Sequence, residues 1–278
     1  MRLLLVLNDA SDGHHDDIHR SLTELRGESA LEDFIVYPYI AKLNGGLKPS
    51  EVVSEVEDLA NSFAPDAILW AHPSSLPVDE RVVSRLRGLR SRPVLGCLEG
   101  DLYDRLHKPL PKNLRRLARA CDVVFVIGYG RFVNRLVKNG FPAVLYVPLW
   151  ADDSRFDLGM SDPGAATYDA VLVGNYWPSK IPFKTMPGAV QRARVVSLME
   201  REFGDRFAVF GQGWAGPCAR GPIPFDQQTL AYHMGRVAVG WDNLIVPLSF
   251  SDRLPIAMAK RRASDLQRDR GGAGGTRR

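Results

Sequence analysis

The chain has 278 residues, a hydrophobic fraction of 45% and no run of about 18 apolar residues, so it predicts one or two globular domains without a membrane span. Its formal net charge of +4 comes from residues 260–278, which hold seven basic and two acidic side chains and leave 29 basic and 30 acidic ones before them. Because that basic segment has no aromatic residue to stack on bases, the charge does not predict nucleic-acid binding.

The amino terminus and the cysteines favour a cytoplasmic protein. Residues 1–9, MRLLLVLND, contain a short apolar run without the longer apolar region and small-residue cleavage site of a signal peptide. We therefore expect a buried first strand there. Cys97, Cys121 and Cys218 are far apart and show no metal-binding spacing, so we expect free, mostly buried thiols.

Residues 1–150 alternate β-type runs with helical patterns. The β-type runs are continuously apolar, which is typical of strands buried on both faces of a parallel sheet. They cover residues 3–7, 33–39, 66–71, 93–98, 122–127 and 143–148, and helix candidates cover 14–26, 49–63, 77–90, 111–120 and 130–139. This alternation predicts a doubly wound α/β domain, in which ligands lie beyond the carboxyl ends of the strands.

Two polar stretches of this domain follow predicted strands. His14 stands between Asp12 and His19, where three histidines and three aspartates fall within eight residues. It is a candidate general base, with a metal site or a polar, capped helix start as alternatives. Glu99 and Asp101 follow the fourth predicted strand, which is where a doubly wound domain places functional carboxylates. The alternative for these two is that they are loop acids that cap the next turn.

The segment WAHPSS, residues 70–75, follows the third predicted strand. It resembles the AHPDD motif of LmbE-like zinc deacetylases. Ser74 and Ser75 stand where that motif has its two acids, and the motif follows the third strand rather than the first. Since these departures remove metal ligands and the base, a metal-dependent hydrolase is a remote alternative and the sequence predicts no metal site.

The second half is predicted to be a smaller domain. Residues 151–167 are rich in Pro, Gly, Asp and Ser without periodicity, which indicates a linker. Residues 168–259 read as strand YDAVLVG, a helix over 190–204, strand FAVFG, a helix opened by GPIPF, strand VAVGWDN and a helix beginning at SFSDRLPIAMA. Three strands fall short of the five or six of a complete Rossmann-like lobe. Residues 260–278 are almost devoid of apolar side chains and are predicted to be a basic, disordered tail.

This order of landmarks resembles the second domain of CgeB-like (spore maturation protein type) GT-B glycosyltransferases. The resemblance implies two Rossmann-like domains that face a cleft, the second of them incomplete. It also implies transfer of a sugar from a nucleotide-sugar donor to a hydroxyl of a glycan, lipid or small molecule. Neither a metal nor a cofactor is expected, because a helix dipole and basic side chains neutralise the leaving diphosphate.

The resemblance also implies roles for individual residues. The donor-side candidates are Gly174, Asn175, Gly211, Gly213, Trp214, Ser251, Asp252 and Arg253. Gly174 would let the backbone approach the phosphates, Trp214 would border the nucleobase, and Arg253 would contact the diphosphate. Asp252 would hold sugar or ribose hydroxyls. Simple turn glycines and an ordinary capped helix are the alternatives.

On the acceptor side, the resemblance makes His14, Glu99 and Asp101 the candidates for orienting or deprotonating the acceptor hydroxyl. Retention of configuration is weakly favoured over inversion. The alternative is a non-catalytic protein, a truncated glycosyltransferase that keeps an intact first domain beside an incomplete donor domain. A frameshift or gene fragment would explain why the basic tail begins abruptly inside a predicted helix.

Overall fold

The computed structural model describes residues 1–10, 16–149, 166–181, 184–224 and 227–258. The chain divides into two compact units. Unit 1 comprises Met1–Pro148 and Val246–Ser249, and unit 2 comprises Leu149–Ile245 and Phe250–Arg278. The predicted tail and nearly all of the predicted linker lie outside the described residues.

Unit 1 contains a sheet of six parallel strands in the order β2-β1-β3-β4-β5-β6. The strands are β1 (Arg2–Leu7), β2 (Asp33–Pro38), β3 (Ala67–Ala71), β4 (Val94–Glu99), β5 (Val123–Val126) and β6 (Ala143–Tyr146). The helices are α1 (Asp16–Gly27), α2 (Tyr39–Asn44), α3 (Pro49–Phe63), α4 (Glu80–Arg87), α5 (Lys112–Ala120) and α6 (Arg131–Lys138). This is a Rossmann-like arrangement, which confirms the predicted α/β class with a parallel sheet.

The first strand shows why its sequence is continuously apolar. Leu4 and Val6 pack in the main core, which also contains the buried residues of α3. Leu5 and Leu7 point to the opposite face and pack with Leu22 of α1. Because successive side chains of a strand alternate between faces, helices on both faces require every residue to be apolar.

The second helix was not predicted, since the β-type run was expected to extend to Tyr39. Instead α2 begins at that residue, whose side chain is buried. The Tyr39 hydroxyl donates to the carbonyl of His72 after β3 at 2.5 Å, and the amide of Ala41 donates to the carbonyl of Asp9 after β1 at 2.8 Å. The short helix therefore links the carboxyl ends of β1 and β3.

Unit 2 contains a sheet of three parallel strands in the order β8-β7-β9. The elements are β7 (Tyr168–Val173), α7 (Pro187–Phe203), β8 (Phe207–Phe210), α8 (Gln228–His233) and β9 (Gly235–Val239), and residues 253–258 are also helical. The helix expected to open at GPIPF is α8, which begins later, at Gln228, and residues 221–224 are not helical. Pro222 and Pro224 disfavour the helical conformation of the residues before them.

The strand β9 is the least covered strand in the described part of unit 2. Its residues Arg236, Val237 and Ala238 are all exposed, although they alternate between the two faces of the sheet. Strands of parallel sheets are usually covered on both faces.

None of the helices described above has the length and apolar character needed to cross a membrane.

Candidate functional site

Among the described residues, three charged side chains are buried: Asp9, Glu99 and Arg192. All three are connected with the carboxyl ends of strands. Asp9 follows β1, Glu99 is the last residue of β4, and Arg192 of α7 bonds to the segments that follow β7 and β9. Since burial of a charge is costly unless it is partnered, Glu99 marks a candidate site in unit 1 and Arg192 marks one in unit 2.

The unit 1 site is built around His72, directly after β3. Its backbone has φ 50° and ψ 48°, a left-handed conformation that is uncommon for residues other than glycine. Two hydrogen bonds fix it: the His72 amide donates to the carbonyl of Leu98 at 3.0 Å, and the Tyr39 hydroxyl donates to the His72 carbonyl. The backbone of β3 thus positions the imidazole beside the end of β4.

The imidazole of His72 pairs with the buried carboxylate of Glu99. His72 Nδ1 lies 2.7 Å from Glu99 Oε1, which also accepts from the amide of Asp101 at 2.9 Å. The amide of Gly100 donates to Nε2 at 3.2 Å, which places the ring proton of the neutral imidazole on Nδ1. A Cβ atom at position 100 would lie 2.7 Å from Nε2, so this approach requires glycine.

The two carboxylates also control the protonation of His72. Burial is the largest influence and lowers the pKa of His72, but the hydrogen bond and charge of Glu99 and the charge of Asp101 outweigh it. The pKa is therefore raised overall. Protonation of Nε2 is incompatible with the hydrogen bond from the Gly100 amide, because the nitrogen then has no free lone pair. A change in the charge of His72 is thus coupled to the loop after β4.

Two further side chains complete this site. Lys108 Nζ lies 2.7 Å from Asp101 Oδ2. Burial raises the pKa of Tyr103, and the charges of Glu99 and Asp101 raise it further. His72, Glu99 and Asp101 each offer one possible metal-ligating atom, and these atoms lie within 4.8 Å of one another.

The structure thus brings together two of the three residues predicted for the acceptor side, Glu99 and Asp101. His14 lies outside the described residues. Sequence reasoning did not assign His72 to the site. The sequence feature that could have indicated it is the position of this histidine, in WAHPSS directly after a predicted strand. The motif was set aside because two serines stand where the zinc-binding motif has acids. The carboxylates come instead from the neighbouring strand, β4.

The unit 2 site begins with two glycines after β8. Gly211 has φ 144°, and a Cβ atom there would lie 2.3 Å from the carbonyl oxygen of Gly174. Gly213 has φ 85°, and its Cβ would lie 2.0 Å from the carbonyl oxygen of Tyr176. The G-x-G spacing therefore allows the segment after β8 to lie directly against the segment after β7.

The side chain of Trp214 fastens these two segments. Its Nε1 donates to the carbonyl of Gly174 at 2.6 Å, and its ring stacks on Tyr176 with centroids 4.9 Å apart and 20° between the planes. Asn175 Oδ1 accepts from the amide of Gln212 at 2.8 Å. The Gly174 amide is also engaged, since it donates to the carbonyl of Phe210 at 2.8 Å. One face of the indole is thus occupied by tyrosine.

Arg192 ties the segments after β7 and β9 together. Its Nε donates to the carbonyl of Trp241 at 2.8 Å, Nη2 donates to the same oxygen, and Nη1 donates to the carbonyl of Asn175 at 2.8 Å. Burial, followed by the charge of Arg253, lowers the pKa of Arg192 to about 10, while Asp242 opposes the shift. The side chain is 2% exposed, so it fixes backbone rather than projecting into solvent.

A second guanidinium group lies beside the first. A Cβ atom on Gly174 would lie 3.4 Å from Arg192 Nη1 and 3.8 Å from Arg253 Nε, so both cations border this glycine. Arg253 Nη1 donates to Ser251 Oγ at 3.3 Å, and Asp252 Oδ1 accepts from the amide of Arg253 at 3.0 Å. Within the described ranges, neither guanidinium forms a salt bridge with a carboxylate.

The amino terminus of α7 does not offer free amides to an anion. The amide of Gly188 donates to the carbonyl of Asn243 at 3.1 Å, and the amides of Ala189 and Val190 both donate to the carbonyl of Met186. A Cβ atom on Gly188 would lie 2.0 Å from the carbonyl oxygen of Asp242, so the helix begins directly against this turn. The positive groups beside Gly174 are therefore the two arginines.

No protein-family model matches the chain. No curated protein matches it either. Among solved structures, the chain is similar to the transcription regulator CcpA of Lactococcus lactis, with 12% identity over 90% of this chain and 99% of that chain. The TM-score of this match is 0.28, which is too low to support an argument about fold or function.

Proposed function

We propose that the chain is a metal-independent GT-B-type glycosyltransferase, in which unit 2 binds the diphosphate of a nucleotide-sugar donor. The observation that supports this proposal most directly is the pair of guanidinium groups of Arg192 and Arg253 beside Gly174. Both lie at the carboxyl end of β7, the central strand of a parallel sheet, which is the usual place for ligands in such folds. The resemblance of the segment from Tyr168 to Met258 to CgeB-like donor domains supports the same assignment.

The charges favour an anionic ligand at this place. Two adjacent cations repel each other, and the described residues supply no carboxylate in salt-bridge contact with either. A diphosphate would compensate both charges. Arg253 would make the direct contact, because guanidinium groups bind phosphate oxygens through paired hydrogen bonds. Arg192 would contribute its positive charge without direct contact, because the carbonyls of Asn175 and Trp241 hold its guanidinium group in place.

In this proposal the leaving group is the nucleoside diphosphate, and the acceptor is a hydroxyl of a glycan, lipid or small molecule. Glu99 and Asp101 remain the proposed acceptor-side carboxylates of unit 1, together with His14. Trp214 would shape the donor site indirectly, because its indole fastens the segment after β7 to that after β8.

The test is the thermal stability of the purified chain with UDP-, GDP- and dTDP-sugars, each with and without Arg253→Gln. A ligand that binds the native state raises the unfolding midpoint by mass action. We expect a rise with one nucleotide class that Arg253→Gln removes. Arg236→Gln, which changes an arginine of β9 whose side chain is 75% exposed, is the matched control and should keep the rise.

A cooperatively folded chain whose midpoint none of these donors raises would contradict the proposal. It would favour the alternative, a protein that keeps the fold without transferase activity. A positive binding result would be followed by detection of the free nucleoside diphosphate in the presence of candidate acceptors.

A further inference from the structure

One oxygen of the Glu99 carboxylate, Oε2, is buried with incomplete hydrogen bonding among the described residues. The side chain is 4% exposed, and among the described residues nothing donates to Oε2 with hydrogen-bond geometry, although the Tyr103 hydroxyl lies near the carboxylate. Buried polar atoms are rarely left without a partner, and an ordered water or a bound ion accounts for many of the exceptions. The other oxygen, Oε1, is already shared by His72 and the Asp101 amide.

Two side chains close to the Glu99 carboxylate supply further ligand atoms. His72 follows β3, Glu99 ends the adjacent strand β4, and Asp101 lies in the loop after it. One nitrogen or oxygen atom from each falls within a 4.8 Å group. Imidazole nitrogen suits zinc and other first-row metals, and carboxylate oxygens complete many such sites. Two of the three ligands, His72 and Glu99, are positioned by paired strands, which are a rigid support.

We propose that His72, Glu99 and Asp101 bind a divalent first-row metal ion at the carboxyl ends of β3 and β4. The site lies within unit 1, and a metal bound there would replace the acceptor-side role proposed above for Glu99 and Asp101. The diphosphate site proposed for unit 2 needs no metal and is tested separately. A metal bound at Nδ1 would take the place of the ring proton there, and the proton would move to Nε2. The hydrogen bond from the Gly100 amide would then be lost, so metal binding would shift the loop after β4.

The side chain of Lys108 makes the proposal sharply testable. Its ammonium group pairs with Asp101 Oδ2 at 2.7 Å and therefore competes with a metal for this carboxylate. Removal of the positive charge by Lys108→Met should release Asp101 and strengthen metal binding. An ordinary hydrogen-bonded histidine–carboxylate pair would not respond in this way.

The experiment is titration of the full, tag-free chain with Zn²⁺ by calorimetry and with Co²⁺ by its visible absorption. His14, His15 and His19 are replaced by glutamine in every variant, because this histidine-rich stretch could bind metal by itself. Glu99→Gln keeps an acceptor for His72 but removes the charge. The matched control is His107→Gln, since His107 Nδ1 pairs with Asp104 at 2.5 Å in the same loop but lies outside the cluster.

We expect one ion bound per chain, unchanged metal affinity with His107→Gln, and tighter metal binding with Lys108→Met. Glu99→Gln and His72→Gln should each weaken binding by more than the roughly 10- to 100-fold that follows loss of an outer-shell partner. Far-UV circular dichroism establishes that each variant is folded. Absence of a stoichiometric site in the folded chain would overturn the proposal, as would binding that survives Glu99→Gln and His72→Gln unchanged.

Discussion

The replacement of Arg192 by methionine tests how unit 2 holds its candidate site together. The substitution keeps an unbranched apolar side chain but removes every donor. The carbonyl oxygens of Trp241 and Asn175, which accept three hydrogen bonds from this guanidinium, would lose those bonds. Because these carbonyls follow β9 and β7, the effect should be concentrated at the carboxyl end of the three-stranded sheet.

The magnitude follows from the two carbonyls. A hydrogen bond from a charged donor contributes about 1.5–3 kcal/mol, which gives about 3–6 kcal/mol for the two partly buried bonded carbonyls. Removal of a buried cation that lies beside Arg253 offsets part of this cost. We therefore expect a net destabilisation of unit 2 of about 2–4 kcal/mol, which corresponds to a roughly 30- to 900-fold increase in the opening equilibrium.

The assay is hydrogen exchange of the β7 amides followed by mass spectrometry, because exchange reports local opening free energies. Arg192→Met should accelerate exchange in Ala170–Val173 by this factor. Arg201→Met, on the same helix but 71% exposed at its side chain, should change it by less than about threefold. Equal effects of the two substitutions, or an Arg192→Met effect below about 1 kcal/mol, would show that Arg192 does not stabilise this end of the sheet.

Three further substitutions test local geometry. Gly100→Ala should displace the His72 ring, since its Cβ would lie 2.7 Å from Nε2, and the imidazole NMR signals should shift. In an NMR titration, Glu99→Gln should lower the pKa of His72. In the wild type, the raised pKa of His72 adds to the free energy of unfolding below about pH 6.5, and this contribution is lost as the pH rises through the raised pKa. Glu99→Gln should remove this contribution. In denaturant melts, Gly211→Ala, with its Cβ 2.3 Å from a carbonyl oxygen, should destabilise more than Gly204→Ala, which meets open space and bears only backbone strain of about 1–3 kcal/mol. Unshifted signals, an unchanged pKa or equal glycine effects would each contradict the corresponding contact.

Much of the fold could be predicted because the sequence patterns that indicate its strands and helices are local. Continuous apolar runs located the strands of unit 1, and the predicted helix over residues 49–63 agrees with α3 at both ends. The valines of that helix recur at helical spacing, and Pro49 stands in its first turn. The α2 helix could not be predicted in this way, because Tyr39 is held by a distant carbonyl, that of His72.

The candidate sites were predictable only in part. Glu99 and Asp101 stood out because they follow a strand, which is a local property. Their partner His72 is 27 residues before Glu99 and meets it only because β3 pairs with β4. Arg192 and Arg194 look alike in the sequence, yet the first is buried and the second exposed. Their difference depends on the position of Trp241, far along the chain.

The most direct test of the proposed function is calorimetric titration of the wild-type chain and Arg253→Gln with the nucleotide-sugar that gives the largest thermal shift. We expect saturable binding by the wild type. Loss of the charge-assisted hydrogen bonds of Arg253, worth about 1.5–3 kcal/mol, should weaken binding by roughly 10- to 150-fold. Equal affinities in the two folded proteins, or no binding by the wild type, would contradict a diphosphate site beside Gly174.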